Sequence, residues 1–232
     1  MSYNIFSLIK IFQNKSYLDD FLDGNLYMNR ISYFRNNKKY PNDDKYDANE
    51  GIIGWFQPDK MKVFIAGHEI PSSDIIEPIK TKNNKISNTP IFCLYSINNR
   101  DFGDINANNI KEFQKHMILN NKVHSLGEFC VIVTRTKPFL DRVNEASQNL
   151  NLKTISKLVN YYDPKIFHGS FNSYDPIFMK QNNYLHQNEF RIAIISEING
   201  NDAYIFKIGN IRDICHVCDT KDINKIIKLE WK

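Results

Sequence analysis

Apolar positions follow two rhythms along this chain. Pro90 to Ile97 (PIFCLYSI) and Glu128 to Thr134 (EFCVIVT) are short apolar runs rich in branched and aromatic residues, and they predict central strands. Between them Ile110, Phe113, Met117 and Ile118 recur at helical spacing. Phe139, Val143, Ala146 and Leu150 do the same behind Pro138. Near the start Tyr17, Leu18, Phe21 and Leu22 form an apolar stripe, with Ser16 as cap, Asp19 and Asp20 in the first turn and Gly24 as the stop. Asn25 to Phe34 then alternates as a strand that carries Arg30. GIIGWF and MKVFIAGHEI pair on paper as a hairpin around Gln57 to Lys60, followed by a lysine-rich polar spacer from Ile79 to Asn88. Leu152 to Tyr162 reads as helix or turn. Ala203 to Ile208 and Ile211 to Val217 read as returning strands, with Asp219 capping a last short helix. This order predicts an α+β fold, a mostly antiparallel curved sheet with flanking helices, in one globular domain over residues 1–232.

The densest group of functional side chains lies in FMKQNNYLHQNEFRIAIIS, residues 178–196, where a polar loop runs into an apolar strand. Alternation puts Glu189 and Arg191 on one face of that strand and Phe190, Ile192 and Ile194 on the other. Lys180, Tyr184, His186 and Gln187 precede them. A carboxylate beside a guanidinium at a strand's mouth suits a site, and equally suits a surface ion pair. Upstream, DPKIFHGSFNSYDPIF reads as an ordered loop in which His168, Ser170 and Ser173 either line a pocket or cap turns.

Arg35 to Glu50 (RNNKKYPNDDKYDANE) has almost no aliphatic content and reads as a long exposed loop at about 35–50, with Asp43, Asp44, Asp47 and Glu50 solvated. The net charge of +4 permits an anionic partner without requiring one. There is no apolar run long enough to span a bilayer and no leader-like start, so the expectation is a cytoplasmic protein without membrane contact. Cys93 and Cys130 lie in apolar runs and read as buried hydrophobes. Cys215 and Cys218 form CHVC, half of a zinc site with no second half in the sequence, so no metal is expected. A phosphate-binding glycine loop, a dinucleotide fingerprint, HExxH and GxSxG are all absent.

Two resemblances add to this. DDFLDGNLYMNRISYF, DDKYDANEG, LGEFCVIVT with FLDR, and FMKQNNYLHQNEFRIAI followed by IGNIRDI together resemble a family of uncharacterised bacterial and phage-borne proteins, over most of the chain. Separately, Gln187-Asn188-Glu189 is similar to the QxE element of the arginine-serine-glutamate class of ADP-ribosyltransferases. That likeness implies an ADP-ribosyltransferase-like fold, NAD as cofactor and transfer to a macromolecule, as in a toxin or an anti-phage defence factor. It implies Glu189 as the catalytic carboxylate with Gln187 orienting the acceptor. Arg30 would hold the NAD phosphates, Tyr33 or Tyr184 would stack on nicotinamide, and Ser170 or Ser173 would support the glutamate, although the expected STS triplet is missing. Arg191 lies on the same face. The chemistry is coherent, because a fixed carboxylate stabilises the positive charge that develops on ribose as the nicotinamide bond breaks. The competing expectation is a non-catalytic phage or defence protein that occupies a protein or nucleic acid. Its contacts would be exposed aromatics together with Lys38, Lys39 and Lys45 beside Tyr40 and Tyr46, and the lysines of the 80–85 spacer.

Overall fold

The computed structural model describes residues 3–36 and 45–230. The first elements are β1 (Ile5–Phe12), α1 (Lys15–Leu22), β2 (Asn25–Arg30) and α2 (Ile31–Asn36). After the loop come β3 (Gly54–Phe56), β4 (Val63–Ile65), β5 (His68–Ile70), β6 (Ile79–Thr81), α3 (Asn84–Ser87) and β7 (Pro90–Asn98). The middle holds α4 (Ile110–His116), α5 (Asn121–His124), β8 (Phe129–Val133), α6 (Thr136–Asn149), β9 (Thr154–Leu158) and β10 (Asn160–Tyr162). The last part holds β11 (Gly169–Ser170), β12 (Met179–Gln181), β13 (Glu189–Ile194), β14 (Tyr204–Lys207), β15 (Cys215–Asp219) and α7 (Ile223–Ile226).

The main sheet is antiparallel and runs β14-β2-β7-β1-β8-β15, with β13 also on β7 and β9 on β13. Strand β7 is its hub. β2 pairs with its first residues, β1 with its last, and β13 runs along its other edge from Ile91 to Tyr95. The sheet therefore splits at β7, where β1 and β2 diverge. The predicted α+β class with a mostly antiparallel sheet is what the chain adopts, and the two predicted central strands are β7 and β8.

One face of the sheet packs on α1 and α6 through Leu18, Phe21, Leu22, Phe139 and Val143, all buried among Phe92, Leu94, Phe190 and Ile192. The other face carries two smaller clusters. One is built on Ile9, Tyr95, Phe113, Cys130 and Ile223, the other on Ile31, Ile91, Ile177, Phe178 and Ala193. Apolar side chains are thus buried on both faces, so β13 is buried at all six positions and its polar face is not solvated.

Several local expectations change. Helix α1 starts at Lys15 behind Asn14, which places Asp19 and Asp20 beyond its first turn. The strand from Asn25 stops at Arg30, where Ile31 turns into α2. MKVFIAGHEI does not pair with GIIGWF. It folds on itself as β4 and β5 through a turn with positive φ at Ala66 and Gly67, while β3 joins β6 and β11. Residues 152–162, read as helix or turn, form β9 and β10, because β13 offers a free edge to which β9 bonds over five residue pairs. Asp219 stands, as expected, at the N-cap of a helical turn, Thr220–Asp222, that runs straight into α7.

Candidate functional site

Arg191 is the largest fully buried side chain among the described residues. Its position on β13 puts it opposite Cys93 of β7 and Lys157 of β9, inside the sheet, at 1% exposure. A guanidinium there must place all five N–H groups. Nε donates to Glu189 Oε1 (2.6 Å) and Nη2 to Glu189 Oε2 (3.2 Å). Nη1 and Nη2 donate to the two oxygens of Glu50 (2.7 and 2.9 Å), and Nη1 also to the Ile177 carbonyl. All five are used. The bidentate pairing with Glu50 is the arrangement in which arginine gains most.

Lys180, on β12, is the second cation. Its ammonium lies 3.3 Å from Glu189 Oε2 and 3.6 Å from Glu50 Oε2, and it donates to Gln187 Oε1 at 2.7 Å. The Tyr184 ring covers it at 4.7 Å, and the Tyr184 hydroxyl donates to the Tyr46 carbonyl (2.9 Å). Two carboxylates and two cations neutralise one another behind this lid. Burial pushes the Glu189 carboxyl up, but Arg191 and Lys180 outweigh it and hold the group well below the usual carboxylate range. Burial likewise opposes the charge of Lys180, yet Glu189 and Glu50 raise its pKa. The Glu189 backbone N–H is satisfied by the Tyr161 hydroxyl (2.9 Å).

Glu50 reaches this cluster through the second half of the loop that was expected to be exposed. The Asp47 N–H donates to the Phe34 carbonyl, the Glu50 N–H to the Asp47 carbonyl, and the Asn49 N–H to Asp47 Oδ1, which closes a tight turn. Arg35 then holds the Glu50 carbonyl at 2.8 Å and Ser87 Oγ at 2.7 Å. Asp47 and Glu50 are 2% and 1% exposed, so neither is a solvated loop acid. Lys38, Lys39, Tyr40, Asp43 and Asp44 lie outside the described residues. The signal in the sequence was Glu50 standing directly before Gly51-Ile52-Ile53, a carboxylate carried inward at the start of an apolar run.

Asp47 is the third buried acid beside this cluster. Burial first, then the Glu50 charge, raise its pKa to about 6, against the opposing pull of Lys180 and Arg191. Between its unfolded and folded values the native chain binds more protons than the unfolded chain, so Asp47 favours the fold below about pH 4 and loses that contribution as pH rises through about 6. Asp47→Asn keeps the acceptor for Asn49. It is expected to stabilise the protein by about 1–3 kcal/mol near pH 7.5 and by almost nothing near pH 4, read from urea unfolding midpoints. An equal effect at both pH values would remove the ionised Asp47 from the account. Glu189 has the opposite sign: its contribution is present above the unfolded carboxylate pKa and is lost as pH falls below it.

The structure gathers Glu189, Gln187, Tyr184 and Arg191 from the expected site, and it separates the rest. Asn29 of β2 and Ala193 of β13 both pair with Ile91, so Glu189 and Arg191 share a sheet face with Asn29, and Arg30 points to the opposite face. Its guanidinium is taken by backbone carbonyls of Asp202 (2.8 Å), Asn88 (2.8 Å) and Asn199 (3.4 Å). Arg30 is a staple between loops and cannot serve the same ligand as Glu189. Tyr33 lies on α2, exposed and edge-on to Phe34. Ser170 is exposed on β11 and pairs with Gly54 in the three-stranded sheet, and Ser173 sits at a positive-φ turn. His168 accepts the Gln57 N–H at Nδ1. Residues missed by the sequence reading are Glu50, Asp47 and Tyr161, which come from segments far apart in the chain.

CHVC is not a chelate. In β15 Cys215 and Cys218 are an odd number of positions apart and point to opposite faces, Cys215 against the α1–α6 cluster and Cys218 against the cluster of Ile9 and Phe113. Cys130 is fully buried as expected, whereas Cys93 is half-buried beside Glu189.

A surface cavity of about 500 Å³ lies between α6 and β14 and is lined by Arg142, Glu145, Tyr204 and Lys207, away from this cluster. No helix among the described residues is long and apolar enough to cross a membrane. No family model, curated protein or solved structure matches the chain.

Proposed function

We propose that this protein acts by binding another protein without catalysis, and that the β4–β5 hairpin is its contact arm. The observation that carries this reading is the arm itself. β4 and β5 hydrogen-bond only to each other among the described residues, and Phe64 and Ile65 are 59% and 63% exposed. Ile76, shortly after the arm, is 97% exposed. A two-stranded ribbon with open edges and apolar tips is marginal in water and suited to adding a strand to a partner's sheet or seating in an apolar pocket. A protein partner fits better than a nucleic acid. Lys80 of the spacer is engaged by Glu77 (2.9 Å) and the Trp55 ring, and Lys85 by the Tyr174 ring. On this reading the Glu50–Arg191–Glu189–Lys180 cluster is a structural keystone.

The second reading is the NAD-dependent ADP-ribosyltransferase, with its fold kinship. It is favoured by the convergence of Gln187 and Glu189 on Lys180 and by the ionised state of Glu189. It needs Glu50 and Tyr184 to move aside before a ribose can reach Glu189, and it needs a phosphate anchor other than Arg30.

One set of variants separates the two. Phe64→Ser/Ile65→Ser should keep the wild-type unfolding temperature and lose the proteins captured from a bacterial lysate, while Glu189→Gln keeps them. A thermal shift with millimolar NAD in the wild type that is absent from Glu189→Gln would reverse the order of the readings. Capture that survives the arm variant would sink the first.

A further inference from the structure

Cys130 and Cys218 face each other directly across the β8–β15 ladder. The bonds from the Thr134 N–H to the Ile214 carbonyl (3.0 Å) and from the Thr220 N–H to the Glu128 carbonyl (2.9 Å) fix the phase of that ladder. Counting by twos from either end makes Cys130 and Cys218 a hydrogen-bonded pair, for which the Cα separation is about 5.5 Å. A disulfide spans roughly 4.4–6.8 Å between Cα atoms, which this pair meets, and about 3.5–4.5 Å between Cβ atoms, so closure draws the outer strand slightly toward β8 and leaves a bond that thiols reduce readily. Both side chains point into the same cluster. Cys215 is excluded from this pair, since it lies on the other face.

The location gives the pair a consequence. β15 is the outer strand of the sheet. The chain beyond it returns Ile223 to the Cys130 cluster and fixes Asn224 to the backbone N–H and carbonyl of Leu119 (2.9 and 3.0 Å). A bond between Cys130 and Cys218 clips this outer strand, and the C-terminal segment it carries, to the middle of the chain.

We propose that Cys130 and Cys218 are a thiol modification site, forming a reversible cross-strand disulfide by exchange with a low-molecular-weight disulfide of the glutathione type. Cys218 is the attacking group, being half-buried where Cys130 is fully buried. Its thiol loses a proton to solvent and the thiolate attacks one sulfur of the reagent. The reagent's S–S bond breaks, and the first glutathione leaves as thiolate and takes up a proton. Cys130 then gives up its proton, attacks Cys218 Sγ and expels the second glutathione, which is protonated in turn. Two protein thiols are oxidised to one disulfide, and one glutathione disulfide is reduced to two thiols. Burial raises the pKa of both thiols, so the exchange is slow at neutral pH and quickens as pH rises. The bond closes a long loop and restricts the unfolded chain, so the oxidised form unfolds at a higher temperature.

The test uses the full chain in its native state, incubated with oxidised glutathione at mildly alkaline pH, alkylated and digested. The expected result is loss of two hydrogen masses, a peptide pair joined through Cys130 and Cys218, and a rise of several degrees in unfolding temperature that dithiothreitol reverses. Cys218→Ser and Cys130→Ala each abolish the link and the rise, and Cys215→Ser and Cys93→Ser keep both. A glutathione adduct that persists on Cys218 without closing, a link through Cys215 or Cys93, or resistance to oxidation under conditions that oxidise the urea-denatured chain would each overturn the proposal.

Discussion

Arg191→Met is expected to destabilise the native state by about 3–5 kcal/mol, among the largest effects of any single substitution in this protein. The cause is not the loss of two attractive pairs alone. Once the guanidinium is gone, Glu50 and Glu189, 1% and 5% exposed, share the Lys180 ammonium, and two buried carboxylates that have lost their bidentate partner are costly. Five donated hydrogen bonds disappear at once, including the one to the Ile177 carbonyl. Urea unfolding near neutral pH reads the loss directly. Replacing the whole cluster, with Glu50→Leu, Lys180→Met, Arg191→Met and Glu189→Met together, should recover most of it, because an apolar core of similar volume avoids the desolvation cost. A single variant that loses less than about 1 kcal/mol would mean that water reaches the cluster, and the sealed site described above would be wrong.

Gly24→Ala is the second large effect, on the order of 3 kcal/mol or more. Gly24 has φ +85°, a region costly for any residue with a side chain, and a Cβ there would overlap the Gly209 carbonyl. The neighbour is backbone and cannot rotate away. The same turn receives the Ile208 N–H on the Gly24 carbonyl (2.9 Å), so the clash also separates β14 from the end of α1. Denaturant unfolding of Gly24→Ala should show the loss. Gly200→Ala serves as the control, with a similar φ of +84° and open space around the added Cβ, and should cost about 1 kcal/mol from backbone strain alone. Equal costs at the two glycines would refute the close approach.

The elements that were legible in advance are those whose pattern is local. Phe113 and Met117, or Phe139 and Val143, recur at helical spacing because one face of a helix meets the core, and that period survives wherever the helix is placed. β7 and β8 were legible as unbroken apolar runs because both of their faces are covered. Residues 152–162 were not, since ISKLVNYY alternates too weakly to announce a strand, and only the free edge of β13 makes it one. The hairpin failed for a related reason: Ala66-Gly67 closes a two-residue turn within MKVFIAGHEI, and this local closure wins over the longer pairing with GIIGWF.

For the candidate site, the sequence by itself determined the pairing of Glu189 with Arg191. Two residues apart on a strand must share a face, whatever the fold. It also determined that Lys180, Tyr184 and Gln187 stand close by, since they belong to the same short segment. Tertiary structure decided what surrounds that pair. It brought Glu50 and Asp47 from a loop more than a hundred residues away and sealed the charges from water. It turned Arg30 to the opposite face, because β2 and β13 meet β7 at one residue and their registers there are fixed by backbone hydrogen bonds. It also set Cys130 against Cys218 rather than Cys215 beside Cys218, since strand parity outranks closeness in sequence.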